Sequence, residues 1–379
     1  MSLNNKKKKS LFRRIVKSLF ISIYIFNSLL LILALLAKYI DANTWSLPTI
    51  FALGFPYIFL VFIIFSIIAL YRKYFTTLLI LLPFFVWGIS VFNKYLNITS
   101  IFYSKNCTIP STKSFDVMTF NVRLFDVYNW KNHHPNHQNI LDFIVKQSPD
   151  IACFQEYYYQ SDGKYITTDF LLKGIKTENI HTYFPVVNRK TDFFGIATIT
   201  RFPIVNKGEI TFSGTSNMCI YTDILVHSDT VRIYNMHLES VRLGSEDYAF
   251  ISSLEHKPDS LELNKSKSVL RRLINASKKR NTQATIIAQH INTCPFPVIV
   301  CGDFNDTPSS YTYSVISKNL NDSYSLIDKY LGSTYNGNIP FLRIDYILYS
   351  DDFNSCNYQI HRINVSDHFP VTCTMTLKP

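Results

Sequence analysis

The sequence predicts a two-part α/β protein: three transmembrane helices, followed by a four-layer α/β-sandwich in which two packed, mostly antiparallel β-sheets are flanked by helices. Three observations predict it. Hydropathy shifts near residue 100, from Leu, Ile and Phe in long runs to short apolar runs set among polar residues. Before the shift, three runs are long enough to cross a bilayer. After it, short β-branched and aromatic stretches alternate with helix-period stretches, the pattern of sheets packed face to face with helices outside.

Charge divides at the same place. The 379 residues carry 38 Lys and Arg against 27 Asp and Glu, a net +11. Residues 1–113 hold 13 of those bases and one acid, Asp41, a net +12; the remainder holds 25 bases and 26 acids, a net −1. The basicity therefore reports membrane orientation. The near-neutral remainder argues against tight, non-specific binding of duplex nucleic acid, which uses many Lys and Arg contacts to phosphate.

In order along the chain, the spans fall at about 18–37, 49–70 and 75–92, within a membrane region of residues 1–100. Each has roughly the 17–25 residues a span requires, and each is apolar on all faces, unlike a helix of a soluble core. The first lacks a small-residue cleavage site and is read as a retained helix. Lys6 to Lys9, Arg13, Arg14 and Lys17 precede it, and Arg72 and Lys73 separate the second and third spans. These put the N-terminus in the cytoplasm, the turn with Lys38 and Asp41 outside, and the C-terminal part outside the inner or plasma membrane.

Residues 101–113, with Pro110, read as a linker, and 114–379 as one α/β domain. Its strand candidates are "FDVMTFNV", "DIACFQE", "FGIATITR", "MCIYTDILV", "TVRIYNMHL", "PVIVCGDF", "RIDYILY" and "PVTCTMTL". "NHQNILDFIVKQSPD" reads as a helix ending at Pro149. "SKSVLRRLINASKKRNTQATIIAQHI" reads as a longer one, with Val269, Leu270, Leu273, Ile274, Ile287 and Ile291 inward and Arg271, Arg272, Lys278, Lys279 and Arg280 on a solvated face. The seven cysteines are odd in number and irregularly spaced, so they give no zinc signature or disulfide framework, though one bridge stays open. Cys153 and Cys301 read as small core residues.

Polar groups recur where apolar strands end. Asn121 closes "VMTFN", Glu156 closes "IACFQE", His237 closes "IYNMH", and Asp303 and Asn305 follow "VIVCG". Asp345 interrupts "RIDYIL", and Asp367 and His368 precede the last strand. Singly, Asn121 and Asp367 can be turn formers, the two His core residues, and Asp345 a partner of Arg343; Asp306 and Pro308 read as turn formers only. Together they form a kit for phosphoester hydrolysis. Carboxylates suit a hard cation such as Mg²⁺, a carboxylate-held His keeps its charge, an Asp can take a proton from water, and amides can hold phosphate oxygens. No P-loop, dinucleotide turn or Ser or Cys nucleophile motif competes.

"TFNVR", "FQE", "NMHLES", "CGDFNDTP", "RIDYIL" and "SDHFPV", in that order from about Phe115 to Leu377, resemble the endonuclease/exonuclease/phosphatase superfamily with its DNase I-like fold, here as a membrane-anchored, bacterial-type member. The resemblance implies a hydrolase of phosphoester bonds using Mg²⁺, with Mn²⁺ as a possible substitute. Glu156 resembles the principal metal carboxylate, Asn121 a metal or phosphate contact, and Asp367 the second acid near the metal. Asp303 resembles the residue that orients or deprotonates water, and Asn305 the phosphate-holding amide. His368 resembles the transition-state histidine, with Asp345 its buried partner, and His237 an acid or phosphate ligand. The superfamily spans nucleases, sphingomyelinases, inositol-phosphate phosphatases and deadenylases, so the substrate stays open between nucleic acid and phospholipid head group. A phosphodiesterase, a lipid head-group or inositol-phosphate enzyme, and an inactive phosphate-binding module all use such a cleft; no protein partner is predicted. Residues 240–264, between His237 and the long helix, read as a loop near the expected site; Leu243, Tyr248, Phe250 and Ile251 in it are candidate lipid or base contacts, with packing against the domain as the alternative reading.

Overall fold

The computed structural model describes residues 2–98, 113–127, 136–163, 166–241, 260–326, 331–337 and 339–379. The N-terminal region comprises α1 (Ser2–Leu36), the short α2 (Leu47–Leu53), α3 (Phe55–Tyr71) and α4 (Phe75–Phe92). Leu11–Leu36 and Phe75–Phe92 are long and apolar enough to cross a membrane. The expected middle span is divided: α2 and α3 meet at a 75° bend and reach that length only together. Gly54 lies at the break and Pro56 in the first turn of α3. Proline has no N–H for the preceding turn and its ring obstructs that turn, so it starts a helix more readily than it continues one. Tyr24, Phe59, Phe62, Leu35 and Phe92 pack the bundle centre.

The rest folds into two six-stranded sheets. The strands of the first are β1 (Phe115–Asn121), β2 (Ile151–Gln160), β3 (Ile180–Asn188), β4 (Asp192–Thr200), β11 (Phe353–Ile360) and β12 (Val371–Leu377), in the order β11-β12-β1-β2-β4-β3. Those of the second are β5 (Ile204–Thr211), β6 (Met218–Val226), β7 (Asp229–His237), β8 (Val298–Asp303), β9 (Asn321–Asp322) and β10 (Asp345–Tyr349), in the order β5-β6-β7-β8-β10-β9. Each sheet is antiparallel except for one central parallel pair, β1 with β2 and β7 with β8.

Alternation along the strands builds the layers. Val117, Ile151, Cys153, Ile233, Ile299, Cys301 and Ile347 meet between the sheets. Met118, Phe120, Ala152 and Phe154 face α5 (Asn136–Gln147) and α6 (Thr167–Ile175). On the opposite side Tyr234, Met236, Val298 and Val300 face α7 (Ser260–Asn292) and α8 (Tyr311–Ile316). The result is the expected four layers.

The helix sequence corrects three expectations. α7 begins at Ser260, so the loop before it is shorter than 240–264; Leu243, Tyr248, Phe250 and Ile251 lie outside the described residues. Leu270 is 39% exposed and leaves the inward stripe. Arg280 is buried, and its guanidinium donates to Asp306 Oδ2 at 3.1 Å, Glu239 O at 2.9 Å and Ser277 Oγ at 2.9 Å. Asp306 is therefore an ion-pair partner as well as a turn former. Arg343 is likewise fully buried and pairs with Asp322, leaving Asp345 for another partner. Cys356 is disulfide-bonded, whereas Cys153, Cys219, Cys294, Cys301 and Cys373 are free.

His181 on β3 joins the two sheets through Thr222 on β6, Nδ1 to Oγ1 at 2.9 Å. Burial, with the charge of Lys207, lowers its pKa from 6.5 to about 4. The folded chain thus holds it neutral while the unfolded chain binds the proton first. Its contribution is present above about pH 6.5 and is lost as pH falls toward 4, by about 2–3 kcal/mol. Denaturant midpoints of the full chain in detergent should fall over that window, and His181→Gln should flatten the fall; an equal slope in the variant would assign the loss to other groups.

Candidate active site

The site forms where the two parallel pairs end. β1 delivers Asn121, β2 Glu156, β7 His237 and β8 Asp303. Pairing fixes their spacing: Asp303 is opposite His237 across β7–β8 and opposite Asp345 across β8–β10. Directly opposed residues share a sheet face, so these three side chains stand in one row. Two local features shape it. Gly302 has φ +144, and a Cβ there would lie 2.1 Å from Met236 O, so only glycine lets β8 approach β7 this closely. Glu156 has φ +49 at the irregularity in β2–β4 pairing between Phe154 and Tyr157. Such a bulge re-aims a side chain.

Asp303 is the hub. It is 1% exposed, and its carboxylate accepts Asn305 N–H at 2.8 Å, Asn121 Nδ2 at 3.1 Å and Asn305 Nδ2 at 3.3 Å. His237 Nε2 and His368 Nε2 each lie 3.7 Å from Asp303 Oδ2. Asn305 is fixed in turn by donating to Leu238 O at 2.9 Å.

His368 Nδ1 is 2.9 Å from Asp345 Oδ2. Burial disfavours its charge, but the Asp345 and Asp303 carboxylates outweigh burial and hold its pKa at about 10. The imidazole is therefore a cation at neutral pH, with both nitrogens as donors. Burial raises the Asp345 pKa, and the imidazolium limits the rise. Thr334, which the sequence did not single out, accepts the Asp345 and Ile344 N–H groups on its hydroxyl at 3.0 Å each. Ser366 similarly ties the His368 loop to β1, donating to Asn121 O at 3.0 Å.

Glu156 and Asp367 stand apart from the buried row. The Glu156 side chain is 36% exposed, with Asn121 Nδ2 at 3.4 Å and His237 Nε2 at 3.9 Å. Asp367 is 37% exposed and lies 3.6 Å from Arg123 Nε. Both line the same cleft as His237, Asp303, Asn305 and His368. Ligand atoms of Asp303, Asp345 and His368 also lie within 4.8 Å of one another. In that cluster, however, His368 Nδ1 already bonds Asp345. The open oxygens of Glu156, beside the Asn121 amide, fit a hard divalent cation better.

Sequence reading also passed over the support beneath the site. Gln155 and Asn235, both fully buried, bridge the sheets through Nε2 to Oδ1 at 2.7 Å. Gln155 also bonds Thr119 and Asn235 the carbonyl of Ala197. This bonded pair fixes one sheet against the other under Asn121 and His237.

Two facing sheets with carboxylates, amides and imidazoles gathered at one end define a DNase I-like phosphoester hydrolase. Residues 118–368 match the Endonuclease/Exonuclease/phosphatase family, and the chain belongs to that family of metal-dependent phosphoester hydrolases. Solved structures share the fold. Humanized D. rerio TDP2 carrying 14 mutations is 16% identical with a TM-score of 0.50, over 69% of this chain and 99% of that one. The human Nocturnin catalytic domain with bound sulfate is 20% identical, TM-score 0.50, over 70% and 95%. An endonuclease/exonuclease/phosphatase from Bacteroides vulgatus is 16% identical, TM-score 0.50, over 70% and 99%. No curated protein matches the sequence.

Proposed function

We propose that the chain is a Mg²⁺-dependent phosphoester hydrolase, with Mn²⁺ as a possible substitute, anchored in the membrane by residues 1–100 and carrying its catalytic domain, 114–379, outside the cytoplasm. The observation that carries this reading is the convergence on Asp303 of two imidazoles and two amides. Glu156 and Asn121 would hold the cation, with Asp367 the second acid near it; the cation supplies neutralisation of phosphoryl charge.

The remaining steps belong to the chain's own residues. Asp303, an acceptor fixed by Asn305 N–H, orients water and takes its proton. The imidazolium of His368, held by Asp345, donates to a phosphoryl oxygen as negative charge builds. His237 and Asn305 supply further donors, and His237 acts as the acid that protonates the leaving oxygen. The water oxygen bonds phosphorus and the leaving alcohol departs with a proton.

With the full chain in detergent, a chromogenic phosphodiester should turn over with Mg²⁺ and lose at least about 100-fold in rate with EDTA. Glu156→Gln should raise the Mg²⁺ concentration for half-maximal rate about tenfold or more, since a charged oxygen ligand becomes neutral. A rate indifferent to EDTA would overturn the metal-dependent reading.

Three features support the orientation. The lysines open α1, Arg72 and Lys73 follow α3, and Lys17 Nζ lies 4.9 Å from the Tyr74 ring, which puts these groups at one end of the bundle. At the other end Asp41 and Tyr95 meet the catalytic part. The disulfide at Cys356 suits an oxidising compartment. An alkaline-phosphatase reporter fused after Lys113 should be active; an inactive reporter would reverse the orientation.

A further inference from the structure

The catalytic cleft is not walled by the catalytic part alone. It encloses about 230 Å³, and Thr49, Ile50 and Leu53 of α2 line it together with the catalytic groups. Residues 49, 50 and 53 are spaced i, i+1 and i+4, so they share one helix face. Besides the carboxylates and imidazoles, and polar groups such as Thr49, Ser277 and Arg280, the lining includes the apolar side chains of Ile50, Leu53, Leu273, Ile274, Ile339 and Leu342. Leu53 is 36% exposed and Ile50 half-buried, so this is apolar surface facing open space.

Polar bonds hold α2 in that position. Ser309, in the same loop as Asp303 and Asn305, donates to Ala52 O at 2.8 Å. The same Ser309 oxygen meets the Tyr95 hydroxyl, beyond the end of α4, at 2.7 Å. Asn281 of α7 donates to Asp41 Oδ1 at 3.0 Å, and the Tyr57 hydroxyl to Pro340 O at 2.9 Å. The loop that presents the water-activating carboxylate therefore also bonds the short helix that lines the cleft. Through its 75° bend α2 runs directly into α3, so the wall stands where the apolar bundle meets the catalytic part.

We infer that the substrate is an amphipathic phosphoester of the surrounding membrane. Its phosphate sits among Glu156, Asp303, Asn305 and His368, and its hydrocarbon chain lies on Ile50, Leu53, Leu273 and Ile274. A wholly polar phosphoester, whether sugar phosphate or nucleotide, would leave that wall in water. A chain-bearing one covers it, and apolar area removed from water is the general source of such a preference. Because the wall adjoins the bundle, the chain passes from bilayer to cleft without crossing bulk water. The N-terminal region then sets specificity as well as location.

This rests on the phosphoester hydrolase reading above, and the test separates the two. The full chain in non-ionic micelles with Mg²⁺ is offered p-nitrophenyl methyl phosphate and p-nitrophenyl dodecyl phosphate. Each reacts with water to give p-nitrophenol and the alkyl phosphate, so only the chain differs. The expected kcat/KM is at least about tenfold higher for the dodecyl ester. Ile50→Ser and Leu53→Ser, measured in the same micelles, should cut that ratio at least about threefold; identical micelles cancel simple partitioning. Equal rates for the two esters, a ratio unmoved by both variants, or faster turnover of single-stranded DNA than of the dodecyl ester would overturn the inference and leave the hydrolase standing. Absence of turnover for every substrate would overturn the hydrolase reading and this inference with it. The wild-type comparison needs no variant, so misfolding of one cannot shelter the proposal.

Discussion

Asp303→Asn is expected to lower kcat on a chromogenic phosphodiester by about 10³-fold or more. The substitution preserves shape but removes the proton acceptor. It also turns one acceptor oxygen into an NH₂ donor, facing the Asn121 and Asn305 side-chain amides that now donate to it at 3.1 and 3.3 Å. Of the site's groups this one accepts the most hydrogen bonds, so its loss disturbs Asn121 and Asn305 as well. Thermal unfolding in detergent would check that the fold survives. A variant that unfolds normally and still turns over at the wild-type rate would place the acceptor elsewhere.

Asp345→Asn should follow, with kcat reduced by about 10²–10⁴-fold. The carboxylate lies 2.9 Å from His368 Nδ1 and stabilises the imidazolium. An amide can hold the ring only through its oxygen, carries no charge, and leaves the buried cation with the more distant Asp303 carboxylate, 3.7 Å away, as its main compensation. His368→Gln measured alongside, and in the double variant, separates the pair from its members. Coupled groups should give a double variant hardly slower than the worse single. Losses that multiply would show that Asp345 acts independently of His368.

The eight strands legible in the sequence are the eight interior ones, and the four missed, β3, β5, β9 and β11, are the four sheet edges. The reason is physical. An interior strand has neighbours on both sides and apolar contacts above and below, so "VIVCG" reads as a continuous apolar run. Among the edges, β5 presents "IVNKGEIT", with only Ile210 buried. Edges carry charges and breaks that discourage pairing with other chains, and those same residues hide the strand from a hydrophobicity reading.

The polar groups of the site were legible because each interrupts an apolar run at a strand end. Their supports were not. Gln155 lies beside Glu156, and Asn235 two residues before His237; each reads as one more polar residue in a strand, and only the facing sheet reveals its partner. Arg280 misled for a different reason. Lys278, Lys279 and Arg280 are consecutive, and about 100° separates neighbours around a helix, so a run of three bases cannot all face solvent when the opposite face is packed.

His237, Asp303 and Asp345 share one rung of the second sheet. Side chains alternate faces along a strand, so a slip of β8 by a single residue would send the Asp303 carboxylate into the opposite layer and set a different residue between His237 and Asp345. Any such slip removes the proton acceptor from between His237 and Asp345. A misassembled copy of this protein would be silent rather than sluggish or indiscriminate, a useful property for a hydrolase of phosphoester bonds.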